Sequence, residues 1–164
     1  MIKTLCLVRH AKATQQMTEL ADIDRPLIER GYKDAHAISK KPQVMAVKPQ
    51  LLISSPGIRA LTTALIFARN LNYPAAKIIL VEKMYNASLE NILQVVAEIP
   101  DPVNRVMLFG HNPSITNTAN LLSSEMVEHI PTCGISCIDF DVNNWYEIGP
   151  RSGKIRFFDH PKNL

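Results

Sequence analysis

The chain has 164 residues, 46% of them hydrophobic and 20% charged, and a formal net charge of +3 at pH 7. That length supports a hydrophobic core without disulfide or metal staples, and we expect one domain over residues 1–164. The composition excludes a disordered chain; so mild a positive excess argues against a nucleic-acid protein and suits an anionic ligand at one site.

In chain order, residues 4–8 form a continuous apolar run, as expected of a strand buried on both faces. Residues 11–30 are polar and without periodicity, and a loop of that length in a compact domain is usually functional. A helix is predicted over residues 31–40, ending before Pro42, and a second strand over 51–53. Ser55 and Pro56 then read as the cap and first position of a helix whose core face is Ile58, Leu61, Leu65 and Ala68. A third strand is predicted over residues 77–81. Ser88 caps the next helix, which presents Leu89, Ile92, Leu93 and Val96 and ends by Pro100. A fourth strand over 106–109 stops at Gly110-His111-Asn112-Pro113, and a helix over 114–122 follows. Residues 135–142 and 155–158 read as a final antiparallel pair with Asn143-Asn144 near the turn.

The alternation of buried strands and helical stretches predicts a three-layer α/β/α fold with a mostly parallel central sheet. Three cysteines, Cys6, Cys133 and Cys137, are an odd count that argues for reduced thiols over a disulfide framework. The apolar stretch before Arg9 is too short for a secretory signal, and no run is long enough to span a membrane. A cytoplasmic protein with no membrane partner is the expectation.

Three predicted strands end in a polar or charged cluster: Arg9-His10, residues 54–59, and Gly110-His111-Asn112. In open parallel sheets ligands bind beyond the carboxyl ends of the strands, so the clusters can converge on one pocket. His10 by itself could be a nucleophile, a general base or a metal ligand. Its arginine neighbour disfavours a metal ion and favours an anion, because guanidinium grips phosphate oxygens through paired hydrogen bonds. Arg59 falls in the first turn of its predicted helix, where a cation opposes the helix dipole unless an anion sits beside it. With His111 the set suits phosphoryl transfer: one imidazole attacks phosphorus and the other cations neutralise the equatorial oxygens. His36, His129 and His160 lie at no such strand end and read as surface or packing residues.

Leu7-Val8-Arg9-His10-Ala11-Lys12 resembles the opening signature of the histidine phosphatase superfamily, also called the phosphoglycerate mutase-like fold. Most members have Arg-His-Gly; Arg-His-Ala-Lys is similar to the small phosphohistidine phosphatases of the SixA type. Asp24-Arg25-Pro26-Leu27 with Glu29-Arg30-Gly31, Ser54-Ser55-Pro56 with Arg59-Ala60 and Thr63-Ala64, Gly110-His111-Asn112-Pro113, and Pro131-Thr132-Cys133-Gly134 match that branch in order along nearly the whole chain. The resemblance implies that His10 is transiently phosphorylated and that Arg9, Arg59 and His111 hold the phosphoryl oxygens, with help from the backbone N–H of Asn112. Lys12 and Arg25 would widen the cationic field or contact substrate, against an even alternative of plain surface charge. It implies no metal and no other cofactor.

Many members place a carboxylate near the leaving group, and Glu82, just past the third strand, is the expected general acid. The partner implied is a phosphorylated protein, a histidine relay or phosphocarrier domain. The alternatives are a phosphatase or mutase for a small phosphorylated metabolite and a non-catalytic phospho-ligand module. Retention of both arginines and both histidines weighs against the last. Gly149-Pro150-Arg151-Ser152-Gly153-Lys154 resembles a phosphate-binding loop but is one residue short between its glycines, and reads as a turn.

Overall fold

Strand β1 (Ile2–Arg9) runs through the middle of the sheet. Its side chains alternate between two apolar clusters, Leu5 and Leu7 in one and Cys6 and Val8 in the other. All four are fully buried, which is why the segment is apolar without alternation. The computed structural model describes residues 1–16 and 18–163.

The other strands are β2 (Leu51–Ser54), β3 (Ile79–Leu80), β4 (Arg105–Gly110), β5 (Ile135–Asp141) and β6 (Lys154–Asp159). They form one six-stranded sheet in the order β3-β2-β4-β1-β5-β6. The β3-β2-β4-β1 portion is parallel, and β5 and β6 extend it antiparallel.

Helices α1 (Glu29–Ser39), α2 (Pro42–Met45) and α3 (Ile58–Asn70) bury Ala35, Ile38, Val44, Ala64 and Phe67 in the cluster with Cys6 and Val8. Helices α4 (Leu89–Ala97) and α5 (Ser114–Leu122) bury Ile92, Val96, Ile115 and Ala119 in the cluster with Leu5 and Leu7. The result is the expected three-layer α/β/α arrangement. Register sets Arg9 opposite Gly110 and Ser54 opposite Phe109, so β1, β4 and β2 end side by side.

Several local expectations are corrected. Helix α1 begins two residues early, at Glu29. Of the third strand, Ile79 and Leu80 pair with β2 and the Val81 N–H donates to the Ser54 carbonyl, while Ala75–Lys77 is a 3-10 turn. Helix α3 starts at Ile58 with Gly57 as its cap residue, so neither Ser55 nor Pro56 begins it. The side of α3 that meets the core carries Arg59, Ala60, Thr63, Ala64 and Phe67. Ile58 and Leu65 are 37% and 40% exposed. Small residues there let the helix approach the sheet closely, a signal that counting large aliphatic residues misses. The last hairpin is wide, with a 3-10 turn at Trp145–Glu147, and all three cysteines are free and buried. Among the described residues no helix is long and apolar enough to cross a membrane.

Candidate active site

The loops that leave β1, β2 and β4 carry His10, Ser55 and His111 to one side of the sheet. A cavity of about 370 Å³ opens there, lined by Arg9, His10, Lys12, Arg25, Arg59, His111 and Asn112, with Ala13 and Thr132. The structure thus brings together seven of the eight residues singled out in the sequence.

His10 is anchored by its backbone N–H, which donates to the Gly110 carbonyl at 3.1 Å. Its Nδ1 lies 2.8 Å from the Ala11 carbonyl oxygen. A carbonyl only accepts, so Nδ1 carries the proton and Nε2 keeps its lone pair. Burial pushes the His10 imidazole down to about 3 against the opposing Ala11 hydrogen bond, and His111, Arg59 and Arg9 lower it further. At neutral pH His10 is therefore a neutral imidazole with a free Nε2.

The His111 ring lies 5.3 Å from that of His10, centroid to centroid. Its Nε2 is 2.8 Å from Ser55 Oγ, and that oxygen accepts from the Gly57 N–H at 3.1 Å. Ser55, expected as a helix cap, instead orients a histidine. Burial and the charge of Arg59 push His111 down to about 4 against the opposing charge of Asp22. A neutral His111 that accepts from Ser55 at Nε2 holds its proton on Nδ1, and among the described residues Nδ1 has no partner.

Arg9 donates from Nη1 to the Ile130 carbonyl at 3.2 Å, and His129, exposed in its loop, approaches the same nitrogen at 3.5 Å. His129 is thus a surface residue, as read from the sequence. Burial, then the neighbouring Arg59, lowers the pKa of Arg9. Arg59 donates from Nη1 to the Asp22 carbonyl at 2.8 Å and from Nη2 to Asp22 Oδ2 at 3.1 Å. Thr63 ties this helix to the nucleophile loop, accepting from Ala11 N–H at 2.9 Å and donating to the Arg59 carbonyl at 2.7 Å. The Nε atoms of both arginines are buried and, like His111 Nδ1, unpartnered.

Asn112 spends its side chain on structure: Nδ2 donates to the Ile130 carbonyl, and Oδ1 accepts from Thr116 N and Oγ1. Lys12 reaches the cavity from an exposed position. Arg25 donates to the Thr14 carbonyl and, at 2.9 Å, to Asp22 Oδ1.

Glu82 is not brought to the cavity; it lies exposed at the start of a 3-10 turn, Glu82–Met84. The residue that turn does deliver is Tyr85, whose hydroxyl donates to Asp22 Oδ2 at 2.5 Å and whose ring meets His111 edge-on at 5.6 Å. Asp22 thus gathers Tyr85, Arg59 and Arg25, and the Tyr85 hydrogen bond and the Arg59 charge hold its carboxyl at about 2 against its partial burial. Sequence reasoning missed this carboxylate. Its only signal was a position three residues before Arg25, inside a loop without periodicity.

A family model described as "Histidine phosphatase superfamily (branch 1)" matches residues 5–89, just over half of the chain. The chain belongs to the histidine phosphatase superfamily. Membership supports a phosphatase. Among solved structures, a candidate phosphohistidine phosphatase SixA from Agrobacterium tumefaciens is 28% identical, with a TM-score of 0.82 over 97% of this chain and 98% of that one. A protein histidine phosphatase SixA complexed with tungstate is 18% identical, with a TM-score of 0.83 over 98% and 99% of the two chains, a likeness of fold. An uncharacterized Mycobacterium tuberculosis protein is 24% identical over 165 residues, spanning 94% of this chain and all of that one.

Proposed function

We propose that this phosphatase is a phosphohistidine phosphatase that works through a phosphorylated His10. One observation carries the reading: among the described residues Arg9 Nε, Arg59 Nε and His111 Nδ1 are buried without partners, and all three side chains line the cavity that holds a neutral His10. A buried unpaired donor costs roughly 1–3 kcal/mol, so a fold that keeps three beside one nucleophile suits a ligand rich in acceptor oxygens. A phosphoryl group has that character. So does tungstate, the tetrahedral oxyanion bound in the solved relative.

In the proposed reaction His10 Nε2 forms a bond to phosphorus while the bond from phosphorus to the leaving atom breaks. The His10 ring becomes cationic as it does so, and the Ala11 carbonyl, already accepting from Nδ1, stabilises that charge. The three unpartnered donors take the equatorial oxygens, where charge accumulates. When the substrate is a phosphohistidine, the leaving imidazole departs neutral if its other nitrogen carries a proton. That substrate needs little help from an acid, in keeping with a cavity that Glu82 does not line. Water then attacks the phosphorus of phospho-His10, the P–N bond breaks, and inorganic phosphate leaves with the imidazole restored.

The test is release of phosphate from a phosphohistidine protein in excess chelator, with His10→Ala as control. Chelator-resistant release that vanishes in the variant supports the reading. Absence of release by the wild type, with turnover of small phosphate esters, replaces phosphohistidine by a metabolite as substrate.

A further inference from the structure

A second cavity, about 160 Å³, adjoins the first and is lined by Lys12, Arg30, Asp34, Pro131, Thr132, Pro161 and Lys162. This groove shares Lys12 and Thr132 with the cavity at His10 and so adjoins it. The groove presents three cations against one carboxylate. That carboxylate, Asp34, is buried and satisfied by Arg30 Nε at 3.0 Å, while the Arg30 side chain stays 63% exposed. Among the described residues neither the Lys12 nor the Lys162 ammonium has a hydrogen-bond or ion-pair partner.

The backbone that carries the two lysines is anchored by the fold. Lys12 is fixed by its carbonyl, which accepts from the Ile28 N–H at 3.0 Å and sits so near Gly31 that a Cβ there would meet it at 2.1 Å. Lys162 lies in the 3-10 turn Pro161–Asn163. The buried Asp159 just before that turn accepts from Lys41 at 2.6 Å, Gln43 at 2.9 Å, the His160 N–H at 2.8 Å and Asn163 at 3.2 Å. The end of the described chain is thereby fastened to α2 and its cap residue, and Lys162 lines the groove.

We propose that this groove is a second anion subsite, which binds a carboxylate or a second phosphoryl group carried by the same molecule whose phosphoryl reacts at His10. The shared lining by Lys12 and Thr132 puts the two cavities within reach of one molecule. The excess of positive charge sets the chemistry, and the prolines form rigid walls. A phosphohistidine protein with an acidic side chain near its phosphohistidine, and a small ester with two anionic groups, both have this chemistry. The protein arm rests on the function proposed above.

The experiment measures Lys162→Glu and Lys162→Arg on three substrates: a phosphohistidine carrier domain, a sugar bisphosphate and phosphoramidate, which has no second anionic group. Lys162→Glu is expected to raise KM about tenfold for the substrate that uses the groove, with kcat retained and the effect fading in high salt. Lys162→Arg is expected to retain the wild-type KM, and phosphoramidate to change less than twofold. A loss confined to the carrier domain identifies a partner carboxylate, and a loss confined to the bisphosphate identifies a second phosphoryl group. An equal loss on phosphoramidate, or no change on any substrate, overturns the subsite. A wild type inactive on every phosphohistidine substrate ends the proposed function, and the bisphosphate arm still decides the groove.

Discussion

Asp22→Asn is the most informative single substitution in this site. The carboxylate accepts hydrogen bonds from Tyr85, Arg59 and Arg25, and the Asp22 carbonyl holds the other terminal nitrogen of Arg59. Asparagine keeps the shape but loses the charge, and its amide must turn an N–H toward one of those donors. A charge-assisted hydrogen bond is worth about 1.5–3 kcal/mol when buried. The Asp22 side chain is 38% exposed, so solvent screening reduces this to roughly 1–2 kcal/mol. If the carboxylate acts by orienting Arg59 toward the phosphoryl oxygens, that loss appears as an about 5- to 30-fold fall in kcat/KM. The assay is steady-state phosphate release by the wild type, Asp22→Asn, Arg59→Lys and the double variant. In the Arg59→Lys background Asp22→Asn is expected to cost less than threefold, because the guanidinium it orients is gone. A full, additive loss in that background, or no loss in the single variant, refutes a role through Arg59.

The depressed imidazoles have a measurable sign. Burial holds His10 at about 3 and His111 at about 4, below the unfolded value of roughly 6.5, so in acid the unfolded chain takes up protons that the folded chain refuses. Stability is therefore full above about pH 6.5 and falls on acidification toward pH 4, by up to about 1.4 kcal/mol per pH unit for each histidine. Thermal melts across that window are expected to show a shallower acid limb for His10→Gln; an unchanged limb contradicts the assignment. Gly57→Ala puts a Cβ 3.0 Å from His111 Cε1 and 3.2 Å from Nε2, at a backbone φ of −55° that alanine tolerates. The ring must shift by a few tenths of an ångström, and roughly a tenfold loss of kcat with a nearly unchanged melting temperature is expected. A large drop in melting temperature would place the damage in the helix start instead.

The apolar run of β1, the capping serine of α4 and the polar clusters at strand ends were legible in the sequence, because each depends on local chemistry: burial on both faces, a side-chain cap, a strand stop. Ser88 indeed caps α4, with Asn91 completing a capping box. Arg9, His10 and His111 were singled out for the same reason, since each stands at a strand end; Arg59, which alone reads as a surface cation, was singled out through its fit with them and the family resemblance. What distance in the chain separates, only the tertiary structure joined. Asp22 meets Arg59 and Tyr85 across 37 and 63 residues, and Ser55 meets His111 across 56. No periodicity marks such pairs, because a loop carboxylate or a serine before a helix has the same local signature whether or not a distant partner reaches it. The exposed position of Glu82 was decided in the same way, by a strand that shrank to Ile79–Leu80 and a turn that delivered Tyr85 instead.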